Sequence, residues 1–316
     1  MTTAGQAAEF RPPAHPSGPV PAPGGAARLA GRVVARIGFG AMQLEARNAD
    51  RDTALAVLRQ AVGGGVNHID TAQFYGDCNA LIRTALAPYP DDLVLVSKVG
   101  AERDAGGGLV PAQRPEQLRA QVDDNLAALG AERLDVVNLR RADAAPGIVA
   151  EGDQLVDIDD QLAELAALRD AGKIGGIGLS NVCAEQLDRA APLGIACVQN
   201  LYSVIDRTAK PVLDRCRELG VAWVPFFPLG SAFANRARVT DDPTVIAIAA
   251  EIGSTPAQVG LAWLLSHYDG TLLIPGTSDP AHLAENIAAG AVRLPPASIA
   301  ALDRLAASTA SAGTDQ

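Results

Sequence analysis

Hydrophobic residues along the chain follow two alternating patterns. Stretches with apolar residues at positions i, i+3 and i+4, typical of amphipathic helices, alternate with short continuous apolar runs, typical of strands buried on both faces. This alternation indicates βα units and a parallel sheet. The predicted helices cover residues 52–64, 79–87, 114–129, 159–171, 184–190, 210–219, 244–252 and 256–267, and the predicted strands cover 66–69, 93–97, 134–139, 177–179, 196–199, 221–224 and 272–274.

The segment before these units, LAGRVVARIGFGAMQL, predicts a hairpin that turns at Ala30-Gly31 and is followed by a strand at residues 37–39. With that strand the pattern has eight strand units, which favours an α/β fold of the closed (β/α)8 TIM-barrel type. An open doubly wound sheet is the alternative. No GxGxxG follows a predicted strand, and the glycines of GKIGGIG, residues 172–178, end a helix and begin a strand instead.

Composition narrows the class of protein. The 316 residues are 48% hydrophobic with a net charge of −10, which argues against nucleic acid and anionic membranes as partners. No apolar run reaches the roughly 18 residues of a membrane-spanning helix. Four cysteines have neither CxxC nor zinc spacing, so we expect no metal site and a reduced, cytoplasmic protein.

The first 26 residues are rich in Pro, Ala and Gly and lack the basic start and apolar core of a signal peptide. They predict a disordered tail at residues 1–26, which leaves residues 27–316 as a single barrel domain. The oligomeric state is left open by the sequence.

Polar residues follow the predicted strands, where the chemistry of a barrel is expected. Because the preceding runs are apolar, this convergence indicates a site rather than a purely structural barrel. The residues at these ends are His68 to Thr71, Ser97-Lys98, Arg140, Ser180-Asn181, Gln199-Asn200, Phe226-Phe227 and Pro275 to Ser278.

Lys98 is the informative member, since a lysine that ends an apolar strand must find an acid or lose its proton. Asp70 on a neighbouring strand is its natural partner, and a plain structural ion pair is the alternative to a functional one. Tyr75 follows Asp70 closely. A phenol beside such a lysine can give a proton to a carbonyl oxygen, although a lone tyrosine of this kind is more often a packing residue.

Seven segments of the chain form a specific set in a fixed order: GFGAMQL (38–44), HIDTAQFYG (68–76), LVLVSKVG (93–100), KIGGIGLSNV (173–182), VQNLYS (198–203), VPFFPLG (224–230) and IPGTSDPAHLAENIAA (274–289). Together they resemble the aldo-keto reductase superfamily. The PFFPLG and IPGTS…HLxEN forms are similar to the bacterial branch of pyridoxal-reductase-like oxidoreductases. The resemblance implies a (β/α)8 barrel that binds NAD(P)H without a Rossmann fold and reduces a small-molecule carbonyl.

The family's catalytic Asp, Tyr and Lys match Asp70, Tyr75 and Lys98, and the resemblance implies that Tyr75 is the general acid in reduction. The family's histidine ends the fourth strand in an "LHRPD" form. Here the same register reads LRRAD, residues 139–143, so Arg140 stands at the histidine position and Arg141 matches an ordinary arginine. Arg141 is expected to be a surface or loop residue with a routine ion pair.

The resemblance also implies a set of cofactor-binding positions. Many relatives have a lysine and an arginine at two positions near the adenosine end of the cofactor, where they bind the 2′-phosphate of NADPH. Gly276 and His282 stand at these positions here, which weakens the expected binding of that phosphate. NADPH is still expected ahead of NADH, because hydroxyls and backbone N–H groups near a helix N-terminus can bind phosphate. The positions are Met42, Asp70, Ser180, Asn181, Gln199, Phe226, Leu229, Gly230, Gly276, Thr277, Ser278, His282, Glu285 and Asn286.

Arg140 leaves three roles open: a donor to the substrate oxygen, a partner for an acidic substrate group, or a partner for Asp70 or another acid that blocks turnover. The function expected first is an NAD(P)H-dependent carbonyl reductase. A specialised biosynthetic ketoreductase or dehydratase, and a cofactor-binding regulatory protein, are the alternatives. The loop at residues 142–157 is expected to shape the pocket mouth, with Phe74, Tyr202, Phe227 and Phe233 as wall residues.

Overall fold

The chain folds into eleven short strands and ten α-helices within residues 21–45, 50–143, 147–230 and 237–311, which the computed structural model describes. The strands are β1 Ala26–Leu29, β2 Arg32–Ala35, β3 Phe39–Gly40, β4 His68–Asp70, β5 Val94–Val99, β6 Ala101–Arg103, β7 Leu109–Pro111, β8 Leu134–Arg140, β9 Ile174–Ser180, β10 Cys197–Gln199 and β11 Ala222–Trp223. The helices are α1 Arg51–Gly63, α2 Cys78–Leu86, α3 Pro115–Leu129, α4 Ile158–Asp170, α5 Ala184–Ala190, α6 Lys210–Leu219, α7 Pro243–Ile252, α8 Pro256–His267, α9 Pro280–Ala288 and α10 Pro296–Ser311.

Seven of the apolar runs form one parallel sheet in the order β11-β10-β9-β8-β5-β4-β3. Residues 271–273 close this sheet, because Thr271 bridges to Trp223 on one edge and Leu273 bridges to Ile37 on the other. The Gly38 N–H donates to the Leu273 carbonyl at 2.7 Å across the closing seam. The predicted α/β barrel of eight strand positions is therefore confirmed.

The N-terminal hairpin closes the amino end of the barrel. Strands β1 and β2 pair antiparallel, and the turn residues Ala30 and Gly31 both have positive φ, 48° and 79°, as a two-residue hairpin turn requires. Leu29 and Val34 pack on apolar side chains that point into the barrel. The hairpin and its predicted turn are confirmed, and this end of the barrel is filled by hydrocarbon.

The helices cover the outside of the sheet, with their apolar faces in one continuous core. Glycines end α3 and α6 as the sequence predicts, since Gly130 and Gly220 adopt left-handed φ of 62° and 68°. The observed bounds differ from the predicted ones by one residue at most in the eight helices that were predicted. Helices α9 and α10 and the second hairpin, β6 and β7, were not predicted as elements.

Residues 21–25 already pack on the barrel, because the Ile37 N–H donates to the Pro23 carbonyl at 3.0 Å and the Arg36 N–H donates to the Gly25 carbonyl at 2.8 Å. Most of the predicted disordered tail, residues 1–20, lies outside the described residues. In the described ranges no single helix has the length and apolarity to cross a membrane, and only the bent pair α7 and α8 passes that test, by length and composition.

Candidate active site

The carboxyl ends of the barrel strands bring the predicted polar residues to one level. Arg140, Ser180 and Gln199 end β8, β9 and β10, and the strand register pairs Arg140 with Ser180 and Ser180 with Gln199. Directly paired residues of a sheet project from the same face. Since Gln199 and Asp70 line a small cavity inside the barrel, this face is the interior one.

Asp70 and Lys98 form a buried ion pair at this level, as predicted, with 2% and 5% of each residue exposed. Lys98 Nζ also donates to the Thr71 carbonyl at 3.1 Å, and Gln199 Nε2 donates to the second Asp70 oxygen at 2.6 Å. Burial acts to lower the pKa of Lys98, but the Asp70 carboxylate and the neighbouring Tyr75 hydroxyl outweigh it and raise that pKa above its usual value. Lys98 therefore carries a fixed positive charge.

Tyr75 lies in the loop after β4 and is half-buried. Lys98 Nζ is 5.0 Å from the centroid of its ring, and the buried Phe74 ring meets it edge to face with centroids 5.2 Å apart. The Tyr75 N–H donates to the Ala72 carbonyl at 3.1 Å and so fixes the loop backbone. Asp70, Lys98 and Tyr75 are thus in one cluster.

An interaction that was not predicted, a clamp formed by Arg103 and Glu45, holds the loop that carries Tyr75. Arg103 of β6 donates from Nε to the Phe74 carbonyl at 2.9 Å and forms an ion pair with Glu45, which is 5% exposed. The Cβ that Gly76 lacks would lie 3.6 Å from the Glu45 side chain. Nothing in the sequence marks Arg103 or Glu45, because their contact joins two loops that no motif connects.

Arg140 projects into the same site, and in the described ranges it has no protein partner. Its Nε is fully buried, and within the described residues the guanidinium makes no hydrogen bond or ion pair. Burial lowers the pKa of Arg140, while the nearby Tyr75 acts to raise it, so the two groups are close enough to interact. Pairing with Asp70, one of the three roles open from the sequence, is not observed there, because Asp70 binds Lys98 and Gln199.

The backbone of Arg140 is rigidly held. Gln113 Nε2 donates to the Arg140 carbonyl at 2.8 Å. Gly100 has a φ of 105°, and a Cβ there would lie 2.4 Å from the same oxygen. On the outer side, a Cβ on Gly147 would come within 2.6 Å of Arg140 Nη2, so the loop after β8 covers the guanidinium. Two glycines make room for this arginine.

Arg141 is a loop residue with an ion pair, as predicted, but it does not lie at the surface. It is 5% exposed, and the ion pair is a two-bond contact with Asp143 at 2.8 and 2.5 Å. Arg141 Nη1 also donates to the Val156 carbonyl at 3.0 Å and to the Gln161 side chain. It ties together the two ends of the loop at residues 142–157.

The residues that the sequence analysis placed in the pocket wall have different environments in the structure. Phe74 is buried against Tyr75, and Phe227 is half-buried and has a left-handed φ of 51°. Tyr202 is 3% exposed and contacts the Trp223 and Trp263 rings, so assigning it to the pocket wall was wrong. Phe233 lies outside the described residues.

Two orphaned polar atoms at the barrel mouth fit a carboxamide ligand. Ser180 Oγ and Gln199 Oε1 are buried and have no hydrogen-bond partner within the described ranges. The next residue, Asn181, takes a left-handed φ of 58° and donates from Nδ2 to the Arg141 carbonyl at 3.1 Å. A hydroxyl and an amide oxygen at neighbouring strand ends match the donors and acceptor of a nicotinamide carboxamide.

The other predicted cofactor positions lie on the same side of the barrel. Gly276 follows the closing strand, and a Cβ there would lie 2.3 Å from the Gly40 carbonyl, beside the turn that carries Met42. Gly230 has a φ of 90°, with a Cβ position 2.5 Å from the Ala237 carbonyl. Phe226 and Leu229, which precede Gly230, are half-buried. After Gly276, Thr277 is buried and Ser278 is half-buried. On α9, His282 is exposed, Glu285 is half-buried and Asn286 is buried.

The N-terminus of α9 differs from the expected phosphate-binding end. Asp279 caps this helix, accepting from the Ala281 N–H at 2.7 Å. Its own N–H donates to Thr277 Oγ1 at 3.0 Å, and His282 Nδ1 is 3.9 Å from its carboxylate. A carboxylate therefore stands where an incoming phosphate would meet the helix dipole.

His68 lies one layer deeper and is 1% exposed, with no hydrogen-bond partner for either ring nitrogen in the described part of the chain. Burial lowers its pKa to about 4. No group of three or more His, Cys, Asp or Glu residues in the described ranges is arranged to hold a metal ion.

Comparisons with known proteins agree with this geometry. The model of the Aldo/keto reductase family matches residues 36–307. The chain belongs to the aldo/keto reductase family. It is therefore an oxidoreductase that uses a nicotinamide cofactor, as the resemblance implied.

Individual relatives cover nearly the whole barrel. A pyridoxine 4-dehydrogenase of Escherichia coli (strain K12) is 43% identical over 283 residues, 87% of this chain and 96% of the relative. An aldo/keto reductase of Klebsiella pneumoniae, solved in complex with NADP and acetate, superposes with a TM-score of 0.75 at 27% identity, covering 89% of this chain and 94% of that one. The thermostable aldo-keto reductase Tm1743, solved with the inhibitor epalrestat, superposes with a TM-score of 0.73 at 25% identity, covering 89% and 99%.

Proposed function

We propose that this aldo/keto reductase reduces a small aldehyde or ketone to the alcohol, with Tyr75 as the general acid. The observation that carries the proposal is the position of the half-buried Tyr75 beside the buried Lys98–Asp70 ion pair at the barrel mouth. A proton donor at that place can serve a carbonyl oxygen bound in the mouth.

The residues of the chain divide the work as follows. Tyr75 gives its proton to the carbonyl oxygen and is left as a phenolate. Lys98 stabilises that phenolate, because it keeps its positive charge while Asp70 holds it in place. In the reverse oxidation the same phenolate takes the proton of the alcohol.

A bound nicotinamide cofactor supplies the hydride. Ser180, Asn181 and Gln199 are the residues that would hold its carboxamide, since two of them offer buried polar atoms with no partner in the described ranges. We place NADPH ahead of NADH, supported by the relative solved with NADP. Asp279 at the α9 N-terminus works against a 2′-phosphate, so NADH is kept as a second cofactor.

Pyridoxal, with pyridoxine as its reduced form, is the first substrate pair to try, because a relative 43% identical is named pyridoxine 4-dehydrogenase. The four cysteines are all free thiols, which supports a cytoplasmic location. A cofactor-binding regulatory protein with little turnover is the alternative that Arg140 in place of histidine suggests. Blocking of the site by an Arg140–Asp70 pair finds no support, since that pair does not occur in the described part of the chain.

The test is cofactor consumption by the purified protein with a panel of aldehydes that includes pyridoxal. Tyr75→Phe should reduce the rate to background while the Kd for NADPH stays within about twofold, because the ring remains and only the hydroxyl is lost. Tyr89→Phe is the matched control, since that hydroxyl donates to the Leu129 carbonyl at 2.7 Å, outside the site.

Two results would contradict the proposal. Full activity of the Tyr75→Phe variant would remove Tyr75 as the acid. Cofactor binding by the unaltered protein without turnover of any aldehyde would argue against reductase activity as a whole.

A further inference from the structure

Arg140 is an exception among the charged side chains of the interior. A charge removed from water costs several kcal/mol unless it is paired. In the described ranges the other buried charges are paired: Asp70 with Lys98, Glu45 with Arg103, Glu164 with Arg119, and Arg141 with Asp143. Arg140 itself is half-buried, and among the described residues it alone combines a fully buried guanidinium Nε with the absence of any side-chain hydrogen bond.

The surroundings of Arg140 hold it in this position. Its carbonyl is fixed by Gln113, and the absence of side chains on Gly100 and Gly147 makes room for it on both sides. A long side chain with no partner would normally turn towards solvent. Here the backbone geometry keeps the guanidinium at the level of Ser180, near Tyr75.

The nature of the missing partner follows from this chemistry. A guanidinium is a planar fork of N–H donors that binds two oxygens at once and prefers an anion. Tyr75, which gives its proton to the reacting carbonyl oxygen under the proposed function, lies close by. An anion that pairs with Arg140 therefore lies close to the reacting carbonyl within the same substrate.

We propose that Arg140 selects carbonyl substrates that carry an anionic oxygen next to the reacting carbonyl, as ortho-hydroxyaryl aldehydes in their phenolate form and 2-oxo acids do. This inference rests on the proposed reductase function. The carbonyl carbon gains hydride and its oxygen gains the Tyr75 proton, while the anionic oxygen is unchanged and serves only for binding.

Matched aldehydes test the inference with NADPH as cofactor. The first is 5-nitrosalicylaldehyde, whose phenol is ionised at neutral pH. Its methyl ether has the same ring without the charge, and its para-hydroxy isomer carries the charge away from the aldehyde. Each substrate is measured with the unaltered protein, with Arg140→Gln and with Arg293→Gln, a control at an exposed arginine.

The ratio of kcat/KM for the ortho-phenolate to that for the methyl ether is the decisive quantity. Arg140→Gln should lower this ratio about 10- to 100-fold, the effect of losing a charge-assisted hydrogen bond. The para isomer should behave like the methyl ether, and the control variant should keep the original ratio.

Equal losses on all three aldehydes would overturn the inference, because Arg140 would then act on the carbonyl oxygen itself. An unchanged ratio would overturn it as well. Neither result would touch the proposed function, which is tested separately by the Tyr75→Phe variant and by the turnover of the aldehydes by the unaltered protein.

A binding measurement on the unaltered protein covers the case in which Arg140→Gln does not fold. Salicylate and salicylamide, which differ in the charge next to the ring, are compared as ligands of the cofactor-loaded protein by calorimetry. Salicylate should bind at least about tenfold more tightly, the effect of one charge-assisted contact. Equal affinities would overturn the inference without reference to turnover.

Discussion

Acid sensitivity of the barrel interior should depend on one histidine. His68 is 1% exposed, neither ring nitrogen has a hydrogen-bond partner in the described ranges, and a Cβ on Gly38 would lie only 2.2 Å from its Nε2. The ring is packed against the Gly38 backbone on one side, and on the other it lines the small cavity that Asp70 and Gln199 also line. Burial accordingly lowers the pKa of His68 from 6.5 to about 4.

The sign of the effect follows from proton linkage. Between these two pKa values the unfolded chain binds a proton at His68 and the folded chain does not. The free energy of unfolding therefore falls as the pH falls from 6.5 towards 4. At 1.36 kcal/mol for each pKa unit, the whole shift corresponds to about 3 kcal/mol, of which about 2 kcal/mol is lost between pH 7 and pH 5.

Urea unfolding at pH 7 and at pH 5 measures this loss, with the fluorescence of the buried Trp223 and Trp263 as the signal. The His68→Gln variant cannot take up a proton at this position, so its stability should fall by about 2 kcal/mol less than that of the unaltered protein over the same pH step. His282→Gln removes an exposed histidine and should follow the unaltered protein. Equal pH dependence of His68→Gln and the unaltered protein would refute the reasoning.

Three further substitutions test individual contacts of the site. Lys98→Met should lower the free energy of unfolding by about 3–5 kcal/mol, because it leaves the Asp70 carboxylate buried without its cation. The double variant with Asp70→Asn should lose less stability than the sum of the losses of the two single variants, and strictly additive losses would contradict this. Arg103→Gln breaks the clamp to Glu45 and should lower kcat several-fold with an unchanged Kd for NADPH, and an unaltered kcat would exclude the positioning role. Asp279→Ala should cost about 1 kcal/mol of stability through loss of the helix cap and raise kcat/KM for NADPH relative to NADH; a constant cofactor ratio would show that this carboxylate does not influence cofactor choice.

The sequence predicted the barrel well because its signals are local. Continuous apolar runs, helix-ending glycines such as Gly130, and the Ala30-Gly31 turn each depend on a few neighbouring residues, and each is found where expected. The pairing of Asp70 with Lys98 could also be predicted, since parallel strands bring their carboxyl ends to one side of the barrel.

Contacts between distant loops could not be predicted in the same way. Arg103 has no neighbour in sequence that indicates its ion pair with Glu45, and the burial of Arg141 depends on a loop that folds back over it. Tyr202 was misassigned because a tyrosine after a barrel strand suits a pocket wall as well as a layer of tryptophans. In each case tertiary packing, rather than a local pattern, determines the environment of the side chain.

The polarity of the barrel interior changes from layer to layer between the amino end and the mouth, and Arg140 lies in the last of these layers. Hydrocarbon from Leu29 and Val34 fills the amino end, and the neutral His68 ring comes next. The Asp70–Lys98 ion pair follows. The Arg140 cation stands at the mouth, where a substrate can arrive, and has no protein partner among the residues that the structure describes. In the described ranges the fully buried charges are thus paired within the protein, whereas the half-buried Arg140 has no hydrogen-bond partner there and stands where a ligand can reach it. A guanidinium held in that position is suited to pair with an anionic group of a substrate.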